Sequence, residues 1–172
     1  AERAATPDRH AIELRISAED PARDFMPVPG LVSRWREPAG PGVRMDSGLE
    51  QGWRVPGEYD PMLSKVLAVA PDRERCLARA RRAVDEFETG GGQTTLPFHA
   101  WLLAHPEFTQ ARLRTDMVAR DWDPAPLRNA AAERAADAVT RHVARGDTPE
   151  LEPDPVGTGP EATHGWKPEP WA

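Results

Sequence analysis

The chain of 172 residues is long enough for one ordinary domain with extensions, built around a single hydrophobic core. Its net charge of −6 argues against nucleic acid or an anionic membrane as the main partner, because both require a basic surface. No apolar run approaches the ~18 residues of a membrane span, and the polar segment AERAATPDR lacks the apolar core of a signal peptide. With Cys76 as the only cysteine, an internal disulfide is excluded and a cytoplasmic location is expected.

The first predicted element is a strand over residues 10–17, HAIELRIS. Apolar residues occupy every second position of this strand, at Ile12, Leu14 and Ile16, while Arg15 falls on the opposite, polar face. Turn-rich stretches such as EPAGPG and VPGEYDP separate three further predicted strands, over residues 31–36, 42–47 and 62–69. The last of these is the most apolar, so we expect it at the centre of a sheet.

Helical periodicity follows the strands. Pro71 and Asp72 open a helix in which the apolar residues repeat at helical spacing. These apolar residues are Leu77, Ala80, Val84 and Phe87. The glycines of TGGGQTT, residues 89–95, are expected to stop this helix. Thr95 is a suitable N-cap for a second, short helix. The residues of this helix expected to face inward are Phe98, Trp101 and Leu102.

Strands followed by helices predict an α+β fold, with a small antiparallel sheet and packed helices. We expect a lead-in over residues 1–9, a domain over 10–120, a linker with an alanine-rich helix over 121–146, and an acidic tail rich in proline and glycine over 147–172. On its composition the tail should be extended or disordered. Trp166 and Trp171 near its end are either passive or a docking motif for a partner.

The polar residues do not form a self-sufficient catalytic or metal site. The TGGGQTT segment has no lysine of the kind found in phosphate-binding loops. His99 and His105 lie six residues apart, which is not the i, i+4 spacing of a helical metal pair, so no metal site is predicted. Ser47 and Ser64 lie outside any nucleophile-elbow sequence. Cys76 is expected to be an inert, partly buried thiol.

Asp60 differs from the other carboxylates because it directly precedes Pro61 and the apolar strand over 62–69. An acid at the entrance of a strand can orient a cation on a neighbouring strand, and Arg15 and Arg44 are the available cations. From the residues alone we therefore expect a structural salt bridge between Asp60 and one of these arginines.

The order and spacing of three segments carry a family resemblance. These segments are HAIELRISAEDPARDFMPVPG, GPGVRMDSGLEQGWRVPGEYDPMLSKVLAVAPDR and DEFETGGGQTTLPFHAWLLAHPEF. From about residue 10 to 119 the chain resembles the C-terminal domain of biotin carboxylase, the ATP-grasp component of biotin-dependent acyl-CoA and pyruvate carboxylases. The resemblance implies a part in a reaction in which ATP and bicarbonate give carboxyphosphate, carbon dioxide is released beside biotin, and biotin becomes N-carboxylated.

The resemblance also assigns roles to four residues. Arg15 matches the catalytic arginine that stabilises bicarbonate and the deprotonated biotin ureido group. Arg44 matches an arginine of the family's dimer interface. Asp60 matches an acid that supports the site without touching the substrate, and Met117 matches a position near the adenine.

Some of the family's pattern is altered or missing here. VPGEYDPM replaces the family's VPPYYDSM around Asp60, and Thr95 replaces an asparagine. The family's ATP-binding lysines, glycine-rich lid and metal-binding glutamates precede the matching region, and nothing in this sequence resembles them. ATP and Mg²⁺ are therefore expected to bind mainly to an ATP-grasp region that a longer chain or a partner supplies.

The implied partners are that ATP-grasp half, the biotin carboxyl carrier protein, a carboxyltransferase and a second copy in a homodimer. The alternative is an orphan domain retained as a non-catalytic binding or assembly module.

Overall fold

The structure is a computed structural model that describes residues 8–145, except for the side chains of 138, 139 and 142–145. Its strands are β1 (His10–Ser17), β2 (Glu19–Asp20), β3 (Met26–Pro27), β4 (Gly30–Leu31), β5 (Arg34–Arg36), β6 (Val43–Ser47), β7 (Arg54–Val55), β8 (Met62–Ala70) and β9 (Glu88–Gly90). Its α-helices are α1 (Arg73–Glu86), α2 (Leu96–Ala104), α3 (Pro106–Thr109), α4 (Met117–Asp121) and α5 (Ala125–Arg145). The predicted α+β class is confirmed.

An antiparallel sheet of three strands, in the order β1-β8-β6, forms the centre of the fold. The prediction that the most apolar strand is central is confirmed, because β8 lies between the other two. One face of the sheet packs against α1 and α2, and the other face is open. The side chains that form this core include Ile12, Leu14, Ile16, Val66, Cys76, Leu77, Ala80 and Leu103.

A second, smaller core lies under the short strands. It consists of Ala18, Val32, Leu49, Val55 and Leu63. Trp35 packs against both cores and meets the ring of Phe87 edge to face, with 4.8 Å between ring centroids. This contact joins the antiparallel pair of β5 and β9 to the main core.

The strand predicted over 31–36 is two strands, β4 and β5, which pair with different partners, β7 and β9. The prediction that the glycines stop the first helix is wrong. Helix α1 ends at Glu86, four residues earlier, because Phe87 takes an extended conformation and buries its ring. Gly91 serves a close approach instead: a Cβ there would lie 2.0 Å from the carbonyl oxygen of Leu31, and its φ is +98°.

Helix α2 also differs from its prediction. Its buried side chains are Leu96, His99 and Leu103. Phe98, Trp101 and Leu102, expected to face inward, are half-buried, and the first two form an aromatic cluster with Trp122. The aromatic cluster covers this side of α2 without burying it completely, so α2 can turn Phe98 and Trp101 away from the main core.

The alanine-rich helix predicted over 121–146 is present as α5. The described residues fall into two compact units that divide between 131 and 132, within this helix. The predicted tail over 147–172, with Trp166 and Trp171, and most of the lead-in lie outside the described residues. Within residues 8–145 no helix is long and apolar enough to cross a membrane.

Candidate functional site

The open face of the three-stranded sheet presents charged side chains in a regular arrangement. In the register of the strands, Arg15 on β1 lies opposite Lys65 on β8, and Lys65 lies opposite Asp46 on β6. One pair further along, Arg44 on β6 and Glu13 on β1 lie on either side of Leu67. Residues that pair directly across strands point to the same face, so the sheet brings Arg15 and Arg44 onto one surface.

The guanidinium of Arg15 projects from this face, with 70% of its side chain exposed. Its Nε donates a hydrogen bond to Glu13 Oε1 at 3.2 Å. An exposed pair of this kind contributes only about 0–1 kcal/mol to stability. Within residues 8–145 the structure records no protein partner for the two terminal nitrogens of Arg15. The side chain therefore offers two donors in parallel, on a strand whose backbone is fixed.

The main chain of Arg15 is held from α2. Thr95 Oγ1 donates to the carbonyl oxygen of Arg15 at 3.0 Å and accepts from the amide of Ser17 at 3.1 Å. His99 Nε2 lies 2.8 Å from the same carbonyl oxygen. Since that oxygen can only accept, Nε2 is the protonated nitrogen of the ring. Thr95 is the N-cap residue of α2, as predicted, but its hydroxyl bonds to β1 and makes no capping hydrogen bond to its own helix.

Arg44 is similarly exposed, and its NH2 group donates to Asp46 Oδ2 at 2.9 Å on its own strand. Both arginines therefore pair with an acid two residues away, along the edge strands of the sheet. A second subunit that covered this face would contact both the arginine and the acid of each pair. This placement is compatible with the expectation that Arg44 belongs to a dimer interface, which stays a prediction.

The expected salt bridge of Asp60 is not formed among the described residues. Asp60 Oδ1 accepts from the amide of Met62 at 2.8 Å and so fixes the start of β8. Burial, and then the charge of Asp60, raise the pKa of Glu19 above its ordinary value. The predicted salt bridge is wrong for the described residues, in which Arg15 pairs with Glu13 and Arg44 pairs with Asp46.

Met117 begins α4 and is buried, with only 3% of its surface exposed. Helix α4 is attached to the domain by ion pairs at its far end. Arg120 contacts Glu107 at 2.7 Å, and Asp121 Oδ2 lies 3.2 Å from His105 Nε2. Hydrogen bonding from Arg120, and next the charge of Arg120, hold the pKa of Asp121 below its ordinary value. In the described chain, the buried side chain of Met117 is part of the hydrophobic core.

Two groups of this site were not found from the sequence. Lys65 was not singled out in the sequence, although the strand register places it beside Arg15. From the sequence, Thr95 was predicted only as an N-cap. His99 was considered only with His105, as a metal pair that their spacing excluded. The i, i+4 spacing of Thr95 and His99, which puts both on one face of a helix, was the available signal, but nothing in the sequence says that this face meets β1.

A resident magnesium ion would need acidic side chains that converge on one point. Among the residues described, no three His, Cys, Asp or Glu side chains come together as a metal site would require. The thiol of Cys76 is fully buried, donates to the carbonyl oxygen of Ala68 at 3.2 Å, and has its pKa raised by burial. The described residues therefore do not fit a resident metal ion, and no chemical step is assigned to one.

The fold and the open face agree with what comparison with known proteins finds. The family model for the biotin carboxylase C-terminal domain matches residues 13–120. Since this match covers more than half of the chain, the chain belongs to the biotin carboxylase C-terminal domain family.

Among curated relatives, the alpha3 subunit of the biotin-dependent acyl-coenzyme A carboxylase of Mycobacterium leprae is 50% identical over 100 residues, which are 58% of this chain and 17% of that protein. Biotin carboxylase 1 of Bacillus subtilis is 43% identical over 108 residues, 63% of this chain and 24% of that protein. The chain therefore spans about a quarter or less of the length of these relatives.

Solved structures agree. The biotin carboxylase of Campylobacter jejuni, solved as a β-γ-ATP complex, matches with a TM-score of 0.62 and 38% identity, over 66% of this chain and 25% of that chain. The biotin carboxylase domain of the 2-oxoglutarate carboxylase of Hydrogenobacter thermophilus, solved as a dimer with MgADP and bicarbonate, matches with a TM-score of 0.62 and 30% identity, over 63% of this chain and 24% of that chain.

Proposed function

We propose that this chain supplies the C-terminal part of a biotin carboxylase active site, in a biotin-dependent acyl-CoA carboxylase or a related carboxylase. The observation that supports the proposal is Arg15, which stands exposed on the open sheet face of a chain that belongs to this family. Its position matches the arginine that the family uses for catalysis. Arg15 is the group we assign to the chemistry.

The proposed role of Arg15 is to stabilise negative charge on bicarbonate and on the deprotonated ureido group of biotin. A guanidinium suits this role because it stays protonated and donates two parallel hydrogen bonds to an anion. Glu13 engages Nε of Arg15 and leaves the two terminal nitrogens directed outward. A donor fixed in advance stabilises developing charge without a cost of reorganisation.

An ATP-grasp region must complete this site, because the described residues hold no group of metal ligands and nothing in the sequence resembles the family's ATP-binding lysines and glycine-rich lid. That region, in a longer chain or in a partner, would supply the activated bicarbonate that Arg15 then faces. We propose that Asp60 is a supporting residue behind Arg15. Arg44 would lie at the contact between two copies, and Met117 would lie near the adenine, in the wall behind the nucleotide. The further partners proposed are the biotin carboxyl carrier protein and a carboxyltransferase.

The alternative function is a non-catalytic binding or assembly module. The observation that favours it is the segment around Asp60, which departs from the family's sequence and in which Asp60 forms no ion pair among the described residues. A changed segment beside the proposed site is what drift away from catalysis would produce. The two functions differ in what Arg15 does.

Replacement of Arg15 separates them. In the assembled carboxylase, Arg15→Ala should lower turnover by about 10²–10³-fold, the loss that follows removal of one such donor, while the assembly remains intact by size-exclusion chromatography. Arg15→Lys should fall between, since lysine keeps the charge and loses the paired geometry.

The matched control is Arg75→Ala. Arg75 has 69% of its side chain exposed and pairs with Asp72 at 3.2 Å on its own element, so it duplicates the exposure and pairing of Arg15 away from the sheet face. Its replacement should leave turnover unchanged. Equal turnover of the Arg15→Ala and Arg75→Ala enzymes would refute the catalytic role and favour the binding module.

A further inference from the structure

Strand β1 leaves its regular register exactly one residue beyond Arg15. The pairing with β8 is continuous up to Ile16 and Ser64, and then shifts so that Ser17 lies opposite Met62. An irregularity of this kind interrupts the ladder of hydrogen bonds and redirects nearby side chains. Because β1 is also an edge strand, the backbone groups of Arg15 and Ser17 that face away from β8 need other partners.

Helix α2 supplies those partners. We call Thr95 and His99 together the α2 clamp. Three of its hydrogen bonds were described above, and the amide of Thr95 adds a fourth by donating to the carbonyl oxygen of Ser17 at 3.1 Å. The clamp thus binds Arg15 and Ser17 on both sides of the register shift, through the backbone groups that β8 cannot reach.

The clamp is buried, although the side chain that it supports is exposed. Thr95 is 5% exposed and His99 is 8% exposed. Nδ1 of His99 is buried and has no hydrogen-bond partner among the described residues. An unpaired buried nitrogen is a cost that an apolar residue at this position would avoid. The imidazole is therefore retained for what Nε2 does, which is to donate to Arg15.

The ring is held in the state that can donate. Burial lowers the pKa of His99, and the hydrogen bond to the carbonyl of Arg15 opposes this change only in part. The neutral ring with its proton on Nε2 is thus the form present near neutral pH. The imidazole of His99 and the hydroxyl of Thr95, which lie one helical turn apart, both donate to the carbonyl oxygen of Arg15.

We propose that Thr95 and His99 are positioning residues for Arg15, which set the direction in which its guanidinium leaves the sheet. This rests on the proposed function, because it concerns the same arginine. Both residues are buried and contact the main chain of Arg15. They act by fixing the two peptide groups from which the Arg15 side chain extends.

The first test is by NMR on the full 172-residue chain and needs no partner. In Thr95→Val, which keeps the shape and removes the hydroxyl, the Ser17 amide should exchange with solvent about tenfold faster, the effect of one lost hydrogen bond. The ¹⁵N relaxation of Arg15 Nε should show greater motion. Thr95→Ser should restore both signals, because serine returns the hydroxyl.

The matched control is Thr94→Val. Thr94 precedes Thr95, is also buried, and its hydroxyl accepts from the amide of Leu96, with no hydrogen bond to β1 recorded among the described residues. This variant should leave the Ser17 and Arg15 signals as in the parent. If Thr95→Val gives the same signals as Thr94→Val, the positioning role is overturned.

Should Thr95→Val not fold, His99→Leu and His99→Gln provide the same comparison. Leucine removes the donor to Arg15, whereas glutamine places an amide donor at a similar reach. Greater motion of Arg15 in the leucine variant alone supports the clamp. Equal motion in both variants overturns it.

The second test uses the assembled carboxylase. Thr95→Val should lower kcat by about tenfold and leave the KM for ATP unchanged, because the clamp acts on Arg15 and not on the nucleotide. An unchanged kcat would overturn the catalytic relevance of the clamp. A silent Arg15→Ala would instead refute the proposed function, and the NMR results would then still report on the clamp as structure.

Discussion

Ala111 occupies a backbone conformation that glycine adopts at lower free energy. Its φ is +57°, in the left-handed region. The amide of Ala111 donates to the carbonyl of Phe108 at 3.2 Å, and the amide of Arg112 donates to the carbonyl of Glu107 at 2.8 Å. These two bonds define a Schellman motif at the end of α3, in which the left-handed position usually holds glycine.

The expected gain from Ala111→Gly is the difference between two opposing effects. A non-glycine residue pays about 1–2 kcal/mol for the left-handed conformation. Glycine avoids this cost, but it raises the entropy of the unfolded chain by the equivalent of about 0.4–1 kcal/mol. The substitution should therefore stabilise the domain by about 0.5–1 kcal/mol, which raises Tm by roughly 2–5 °C for a domain of this size.

The assay is urea unfolding of the full chain, followed by far-ultraviolet circular dichroism. The control is Ala78→Gly, on the exposed face in the middle of α1, where φ is helical and glycine should cost about 1 kcal/mol. The two substitutions are chemically identical and should move the midpoint in opposite directions. If Ala111→Gly destabilises the chain as Ala78→Gly does, the left-handed strain assigned to Ala111 is wrong.

Two further predictions concern stability. Gly91→Ala should destabilise by at least about 2 kcal/mol, because its Cβ would lie 2.0 Å from the Leu31 carbonyl oxygen at a φ of +98°; Gly48→Ala, where a Cβ meets nothing within 4 Å, is the control, and equal unfolding midpoints would contradict the close approach. The lowered pKa of His99 predicts a pH dependence: its contribution is complete above the ordinary histidine value of about 6.5 and decreases as the pH falls below it, since the unfolded state then binds the proton more readily. His99→Gln should flatten the loss of unfolding free energy between about pH 7 and 5, and an unchanged slope would show that this histidine is not the cause.

Two arginines of α1 have hydrogen-bond partners that only the tertiary structure reveals. On the helical wheel they lie outside the apolar stripe, as on a solvated face. In the structure, Arg81 donates through Nε and NH2 to the carbonyl of Leu103 at 3.1 and 2.7 Å, at the end of α2. Arg73 donates to the carbonyls of Phe108 and Thr109 at the end of α3. These arginines therefore stabilise the ends of other helices, where carbonyl groups lack partners.

Local pattern was sufficient for the longest elements. The alternation in HAIELRIS placed β1 at its observed bounds, and the apolar run after Pro61 predicted the central strand, because side chains two residues apart in a strand share one face. The same alternation put Arg15 on the open face. Asp72 was recognised as the start of α1, and its carboxylate does accept the amide of Arg75.

Only the tertiary structure decided what depends on residues far apart in sequence. Thr95 and His99 contact Arg15 across about 80 residues of chain, so neither the clamp nor the use of the Thr95 hydroxyl outside its own helix was visible locally. Gly91 of TGGGQTT allows the close approach of a neighbouring strand, because the Leu31 backbone lies where a Cβ would be. The sequence determined the strands and the exposed arginine through periodicity, whereas the direction and support of that arginine arise from contacts that form only when α2 packs against the end of β1.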